Sequence, residues 1–283
     1  MRGGPPSGRF MPWEYAVSGL GTIGLVVATV FAALNLFRPA SRAGRISTIA
    51  ALAVLAINLG AVGTGIVREG LVGWLRQSFQ SSLLLVSLII PLGAIGRSAA
   101  GMRGLDVVLF LVAAVIQAGS LFQIGQPGMR VAYKSWFVSH QVAFAISGAC
   151  FVAAGGAGAA YLIITELLRR KHGLTLLGRL APLESLERFG RWMLVIGFPA
   201  LTYGVLTGFC QLSRQTNPGP IEWLKDPIVI FTLILWAVYA VGMLALWFQP
   251  RMRGRRGATF AAAGLVLVVV VFVAMEHLST LHR

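Results

Sequence analysis

The chain has 283 residues, of which 57% are hydrophobic and only 12% are charged, and its mean hydropathy is +0.78. These values exclude an ordinary soluble globular protein of this length and are typical of an integral membrane protein. The formal net charge of +15 invites a nucleic-acid partner, but no aromatic-interleaved basic patch or soluble binding domain accompanies the charge, so nucleic acid is not expected to bind.

Taken in chain order, long uncharged runs predict eight membrane-spanning helices. A bilayer core of about 30 Å requires roughly 20 apolar helical residues, and each run reaches or nearly reaches that length. The span predicted from the last uncharged run, 257–275, is extended to residue 281. The first run is interpreted as a membrane span, with a cleaved secretory signal as the alternative because small residues occur in "FAAL" near its end. We predict a single all-α membrane domain, residues 1–283, with spans at 15–37, 46–67, 77–96, 107–129, 135–165, 192–213, 227–250 and 257–281.

The 24 Lys and Arg residues lie almost entirely between these spans, and their distribution predicts the orientation. The connections after spans 1, 3, 5 and 7 carry most of them, so the positive-inside rule places these connections in the cytoplasm and both termini outside. The expected location is the inner (cytoplasmic) membrane, with anionic lipid as a secondary partner of the basic segments. Between spans 2 and 3, "GWLRQSFQSS" is expected to lie along the outer interface, with Trp74 as its anchor.

Motifs of soluble enzymes are missing from the sequence. It contains no GxxxxGK[ST], GxSxG or HExxH pattern, so no catalytic residue is predicted. Cys150 and Cys210 lie inside spans 5 and 6 without CxxC spacing, and they are interpreted as packing residues because a redox pair requires exposed thiols of low pKa.

Histidines in or near the membrane are candidate functional residues, because polar side chains are costly there. His140 near the start of span 5 and His282 after span 8 fall at the same predicted face, where two imidazoles are able to bind a haem iron. Each is equally interpretable as a hydrogen-bonded interfacial residue. His172 lies in a basic cytoplasmic connection. His277 is about 140° around the helix from His282, so His277 and His282 cannot bind the same ligand from one helix face.

Four stretches in the second half of the chain carry a family pattern. They are "HQVAFAIS", "LESLERFGRWMLVIGFPALTYGVLTG", "NPGPIEWLKDPIVIFTLILWAVYA" and "LSTLHR". Their order and spacing over residues 130–283 resemble the cytochrome c assembly family, the CcsA/ResC and HemX-like membrane proteins. The chain departs from the pattern at Gly148, where Tyr is usual, at Lys225, which replaces a Trp, and at Ile228 and Val229, which replace Lys and Glu.

The resemblance implies a haem-handling role in cytochrome c maturation. It implies that His140 and His282 are ligands of the iron of a b-type haem, held non-covalently and transiently, and that Trp223, Asp226 and Trp236 form the haem-binding surface. The tryptophans are alternatively membrane-interface aromatics, and Asp226 is alternatively the N-cap of span 7. Apocytochrome c and a partner assembly subunit are the implied partners, and any enzymatic activity would be part of a haem-attachment complex.

Two other functions remain open at the level of the sequence. A HemX-like scaffold or regulator of haem metabolism without synthase activity would keep the fold, and the altered tryptophan segment favours it. A small-molecule transporter is the third interpretation, for which two similar halves would be expected, and no clear internal repeat is present.

Overall fold

The computed structural model describes residues 12–37, 42–75, 78–99, 102, 104–124, 134–170, 181–213, 227–248 and 254–277. Helices account for nearly all of these residues, which confirms the prediction of an all-α chain. In chain order they are α1 (Pro12–Phe37), α2 (Ala43–Leu75), α3 (Ser78–Ala99), α4 (Leu105–Gln123), α5 (Lys134–Arg169), α6 (Leu183–Ser213), α7 (Pro227–Phe248) and α8 (Arg255–His277).

Within the described residues, six helices are long and apolar enough to cross a membrane, namely α1, α2, α4, α5, α6 and α7, and α3 contributes a shorter apolar segment, Ser82–Ile95. Large apolar side chains are exposed along these helices, for example Ile23 on α1 and Val241 on α7. Exposed apolar side chains suit contact with lipid tails and indicate a multi-pass membrane protein. Eight crossings with both termini outside remain a prediction.

The bundle is organised around α5, most of whose side chains are buried. Helix α1 packs on α2 and α4, α3 packs on α4, and α5 joins this group to α6 and α8. Small residues allow the close approach of α8: a Cβ atom on Gly158 would lie 2.6 Å from the Ala258 carbonyl oxygen, and one on Gly155 would lie 3.0 Å from that of Ala261. The small residues on this face of α5 therefore form a helix-packing surface.

A buried polar cluster fixes the register of α1, α2 and α4. The side-chain amides of Asn58 and Gln117 exchange hydrogen bonds of 3.1 and 3.4 Å, and the hydroxyls of Ser18 and Ser120 lie 2.7 Å apart. All four side chains are fully buried. Because each group has a partner, the cluster ties the three helices together without leaving an unsatisfied polar group in the core.

Helix α2 reverses direction near its end, which corrects the sequence-based expectation for Trp74. Gly70 has φ 72° and ψ 161°, a backbone region that is essentially confined to glycine and costs other residues about 1–3 kcal/mol. The residues after Gly70 fold back, and Trp74 is only 1% exposed. The expectation that Trp74 is an anchor exposed along the membrane interface is therefore wrong, because the turn directs its indole into the bundle.

Candidate functional site

His140 lies in the second turn of α5 and faces α6. Its Nδ1 atom is 2.9 Å from the carbonyl oxygen of Gly204, and the residue is half-buried. A carbonyl oxygen can only accept a hydrogen bond, so Nδ1 carries the proton and donates it. The lone pair of the imidazole then belongs to Nε2, which is the tautomer required of a histidine that binds a metal through Nε2.

Glycines on α6 create the space that the His140 ring occupies. A Cβ atom on Gly208 would lie 2.8 Å from His140 Cε1 and 3.1 Å from Nδ1, and one on Gly204 would lie 2.8 Å from the ring of Phe144. The Phe144 and His140 rings are 4.7 Å apart and inclined by 55°. Since Gly204 and Gly208 are one turn apart on the same face of α6, the ring lies in a notch that side chains at these positions would close.

The acceptor of the His140 bond is itself held in place by α6. The Thr207 hydroxyl donates to the same Gly204 carbonyl oxygen at 3.0 Å and to the Tyr203 carbonyl oxygen at 2.9 Å. Thr207 is buried. The imidazole orientation is thus fixed by a hydrogen-bonded backbone group, which is the usual outer-shell support of a metal-binding histidine.

Trp236 on α7 makes a different set of contacts. Its Nε1–H donates to Thr202 Oγ1 at 3.0 Å, and its ring stacks on Phe198 at a centroid distance of 6.0 Å. Trp236 therefore contacts α6 at Phe198 and Thr202, whereas His140 contacts it at Gly204 and Gly208. The two predicted site residues have different partners on that helix.

Three predicted site residues, His282, Trp223 and Asp226, lie outside the described residues. Helix α7 begins at Pro227, a position in the first turn that proline favours.

The antiparallel packing of α5 and α8 shows which end of the bundle His282 follows. Gly155 of α5 lies against Leu265 of α8. His140 lies about 22 Å from that contact along α5, and His277 lies about 18 Å from it along α8, both toward the same end of the bundle. The described end of α8 therefore lies at the end of the bundle that contains His140.

Gly204 and Gly208 lie within the stretch "LESLERFGRWMLVIGFPALTYGVLTG" that carries the family pattern, and the sequence alone predicts no contact for them. Their spacing is the available signal, because glycines four residues apart mark a helix face that admits a close neighbour. The identity of that neighbour, His140, depends on the register between α5 and α6. Among the described side chains, no group of three His, Cys, Asp or Glu residues comes together to hold a metal ion.

Comparisons with known proteins give a consistent family assignment. The chain is 30% identical over 115 residues to the cytochrome c biogenesis protein CcsA of Prochlorococcus marinus, covering 40% of this chain and 35% of the relative. It is 23% identical over 198 residues to CcsA of Guillardia theta, covering 60% of this chain and 64% of the relative. No solved structure shows a significant match.

The chain spans about a third of the length of the cyanobacterial relatives it matches. For example, it is 31% identical over 100 residues to CcsA of Thermosynechococcus vestitus, covering 35% of this chain and 30% of the relative. The model of the cytochrome C assembly protein family matches residues 23–282. Because this match extends over nearly the whole chain, the protein belongs to the cytochrome C assembly protein family.

Proposed function

We propose that this chain handles haem in cytochrome c maturation, binding it non-covalently as cargo and presenting it at the outer membrane face for attachment to apocytochrome c. Family membership over residues 23–282 and relatives named for cytochrome c biogenesis support this role. Haem supplies an iron that accepts imidazole lone pairs and a ring to which apocytochrome thiols become attached. The chain's own residues bind, orient and present it.

One observation carries the proposal, namely the hydrogen bond from His140 Nδ1 to the Gly204 carbonyl oxygen at 2.9 Å. It holds the imidazole in the Nε2 lone-pair tautomer and sets its orientation before any ligand arrives. The neighbouring ring of Phe144 provides the apolar surface that a tetrapyrrole face prefers. His140 would hold the iron through Nε2, and we assign a second imidazole ligand to His282.

The outer segment before α7 would complete the site. Trp223 would supply an aromatic surface, and Asp226, which directly precedes the first residue of α7 in the sequence, would cap that helix. A partner assembly subunit is part of the proposal, because the segments between successive helices are short and contain no room for a domain that holds apocytochrome c.

The proposed orientation places the chain in the cytoplasmic membrane with eight crossings and both termini outside. We expect residues 214–226 to be labelled from outside, and residues 171–180 and 251–253 to be protected, when single cysteines are introduced there in a variant lacking Cys150 and Cys210. The basic connections on the protected side are the physical reason. Labelling of a cysteine at position 171 from outside intact cells would contradict the orientation and the shared face of His140 and His282.

A scaffold or regulator of haem metabolism without synthase activity is the second candidate. The contacts of Trp236 favour it, because the indole N–H is bonded to Thr202 and the ring is stacked on Phe198 inside the bundle. A tryptophan used in this way contributes to packing between α6 and α7.

Deletion of the gene separates the proposed maturation role from unrelated functions. In a strain with no second copy, we expect covalently attached haem in c-type cytochromes to fall to a small fraction of the wild-type level, measured on haem-stained gels. Complementation with Trp223→Ala then separates the two candidates, with an immunoblot confirming an equal membrane level. If the chain is a synthase component, Trp223→Ala should lower the yield of holocytochrome c, because an aromatic contact with haem is removed. If the chain is a scaffold, the variant should restore the wild-type yield. Normal cytochromes c in the deletion strain would refute the maturation role.

A further inference from the structure

We propose that Trp74 is a positioning residue for His140, acting through the first turns of α5. The proposal rests on the assigned role of His140, and it concerns a part of the chain far from that residue in sequence. The folded-back end of α2 places the Trp74 indole against Gly65 and in one buried cluster with Phe137 of α5, and this packing sets the direction in which the His140 side chain leaves α5.

The contact between Trp74 and Gly65 exists only because α2 reverses. In an uninterrupted helix, residue 74 would lie about 13.5 Å along the axis from residue 65 and on the opposite face. The positive φ of Gly70 turns the chain back instead, so that a Cβ atom on Gly65 would collide with the indole, lying 3.3 Å from Cγ and closer still to Cδ1 and Nε1. Glycine at position 65 therefore leaves the space that the Trp74 indole occupies.

Trp74 also belongs to a buried cluster that includes residues of α5. Trp74, Leu75 and Phe137 form one buried cluster, completed by partly buried side chains that include Val138. Phe137 is only 3% exposed. Residues three apart on a helix are surface neighbours, so Phe137 and His140 occupy adjacent positions on α5. Phe137 packs toward the end of α2 while His140 packs toward Gly204 and Gly208 of α6.

The first turns of α5 are consequently held from two sides. On one side, the α6 notch accepts the imidazole and its hydrogen bond. On the other, Phe137 is buried in one cluster with Trp74 and Leu75. If the ring is displaced, the support on the α2 side is lost, and His140 can rotate or withdraw from the position that iron coordination requires, a displacement to which such sites are sensitive.

The test compares Gly65→Ala with Gly63→Ala in the full-length protein in detergent. A Cβ atom at position 65 displaces Trp74, whereas one at position 63 meets nothing within 4 Å, and both changes carry the same gain in helix propensity. We expect hydrogen exchange of amides 138–141, the first in α5 with intrahelical partners, to accelerate at least about tenfold in haem-free Gly65→Ala, as local opening becomes easier. The control should match the wild type.

The second readout is the bound haem, reconstituted with added haemin. Gly65→Ala should shift the Soret maximum or the midpoint potential and weaken haem binding by about tenfold, in the range typical of lost outer-shell support. Trp74→Phe, which keeps an aromatic ring, should retain more haem than Trp74→Ala. This pair also decides the question if Gly65→Ala fails to reach the membrane.

Each outcome bears on the proposal. Unchanged exchange in Gly65→Ala would overturn it, and faster exchange with wild-type haem affinity and spectrum would reduce Trp74 to a packing residue. If the wild-type protein binds no haem, or if His140→Ala leaves haem binding unchanged, the ligand role of His140 fails. The exchange comparison would still show whether Trp74 holds the first turns of α5.

Discussion

Replacing His140 by Ala is expected to remove most of the haem that copurifies with the protein, lowering the haem-to-protein ratio by about tenfold or more, since even outer-shell changes at such sites cost 10–100-fold in affinity. The change deletes the proposed iron ligand together with its bond to the Gly204 carbonyl oxygen. The ratio is measured by pyridine haemochrome absorbance against protein concentration.

His172→Ala is the control for this prediction, because His172 lies in the basic connection between α5 and α6 and has no proposed ligand role. Imidazole added during purification should restore part of the haem content of His140→Ala by filling the vacant coordination position. Equal haem content in wild type and His140→Ala would remove His140 from the site and favour the scaffold interpretation.

Gly208→Ala is expected to lower haem content nearly as far as loss of the imidazole does. The new methyl group would lie 2.8 Å from His140 Cε1 and 3.1 Å from Nδ1, so the ring must leave the notch or α5 and α6 must separate. Overpacking of this kind costs about 1–3 kcal/mol. Because alanine favours a helix over glycine by about 1 kcal/mol, the helix itself is not weakened by the substitution.

Gly190→Ala on the same helix is the matched control. A Cβ atom at position 190 would lie 3.6 Å from the Ala154 carbonyl oxygen and 3.7 Å from Ala157 Cβ, which are ordinary contact distances. We expect wild-type haem content and an unchanged or slightly higher unfolding temperature for this variant. Haem loss in Gly190→Ala equal to that in Gly208→Ala would show that any added methyl group on α6 disturbs the bundle, which would contradict a specific notch for His140.

The helical fold could be predicted from the sequence because each helix carries its own apolar signal. An uncharged run long enough to cross a bilayer forms a helix whatever its neighbours, since its backbone groups must be paired within the segment. The residues at which helices end are harder to predict from the sequence than the helices themselves. The sequence predicts that span 2 ends at residue 67, whereas α2 extends to Leu75 through the turn at Gly70. A lone glycine in a sequence does not reveal its φ angle.

The site was predictable only in part. His140 was identifiable because an imidazole within an apolar run is unusual, but its hydrogen-bond acceptor is a backbone carbonyl, which no side-chain pattern records. Trp236 shows the opposite case. The family pattern groups it with the haem-binding residues, whereas Trp236 contacts Thr202 and Phe198 of α6 and His140 contacts Gly204 and Gly208. This difference is set by the register between helices.

The absorption spectrum of the purified wild-type protein, recorded in detergent before and after dithionite, tests the central claim most directly. Reconstitution with haemin beforehand ensures that cargo is present. We predict a sharp Soret band that shifts on reduction, with resolved α and β bands of the kind given by two imidazole ligands on a b-type haem. A spectrum identical to that of free haemin in the same detergent, before and after reduction, would contradict the proposal that this protein binds haem through His140.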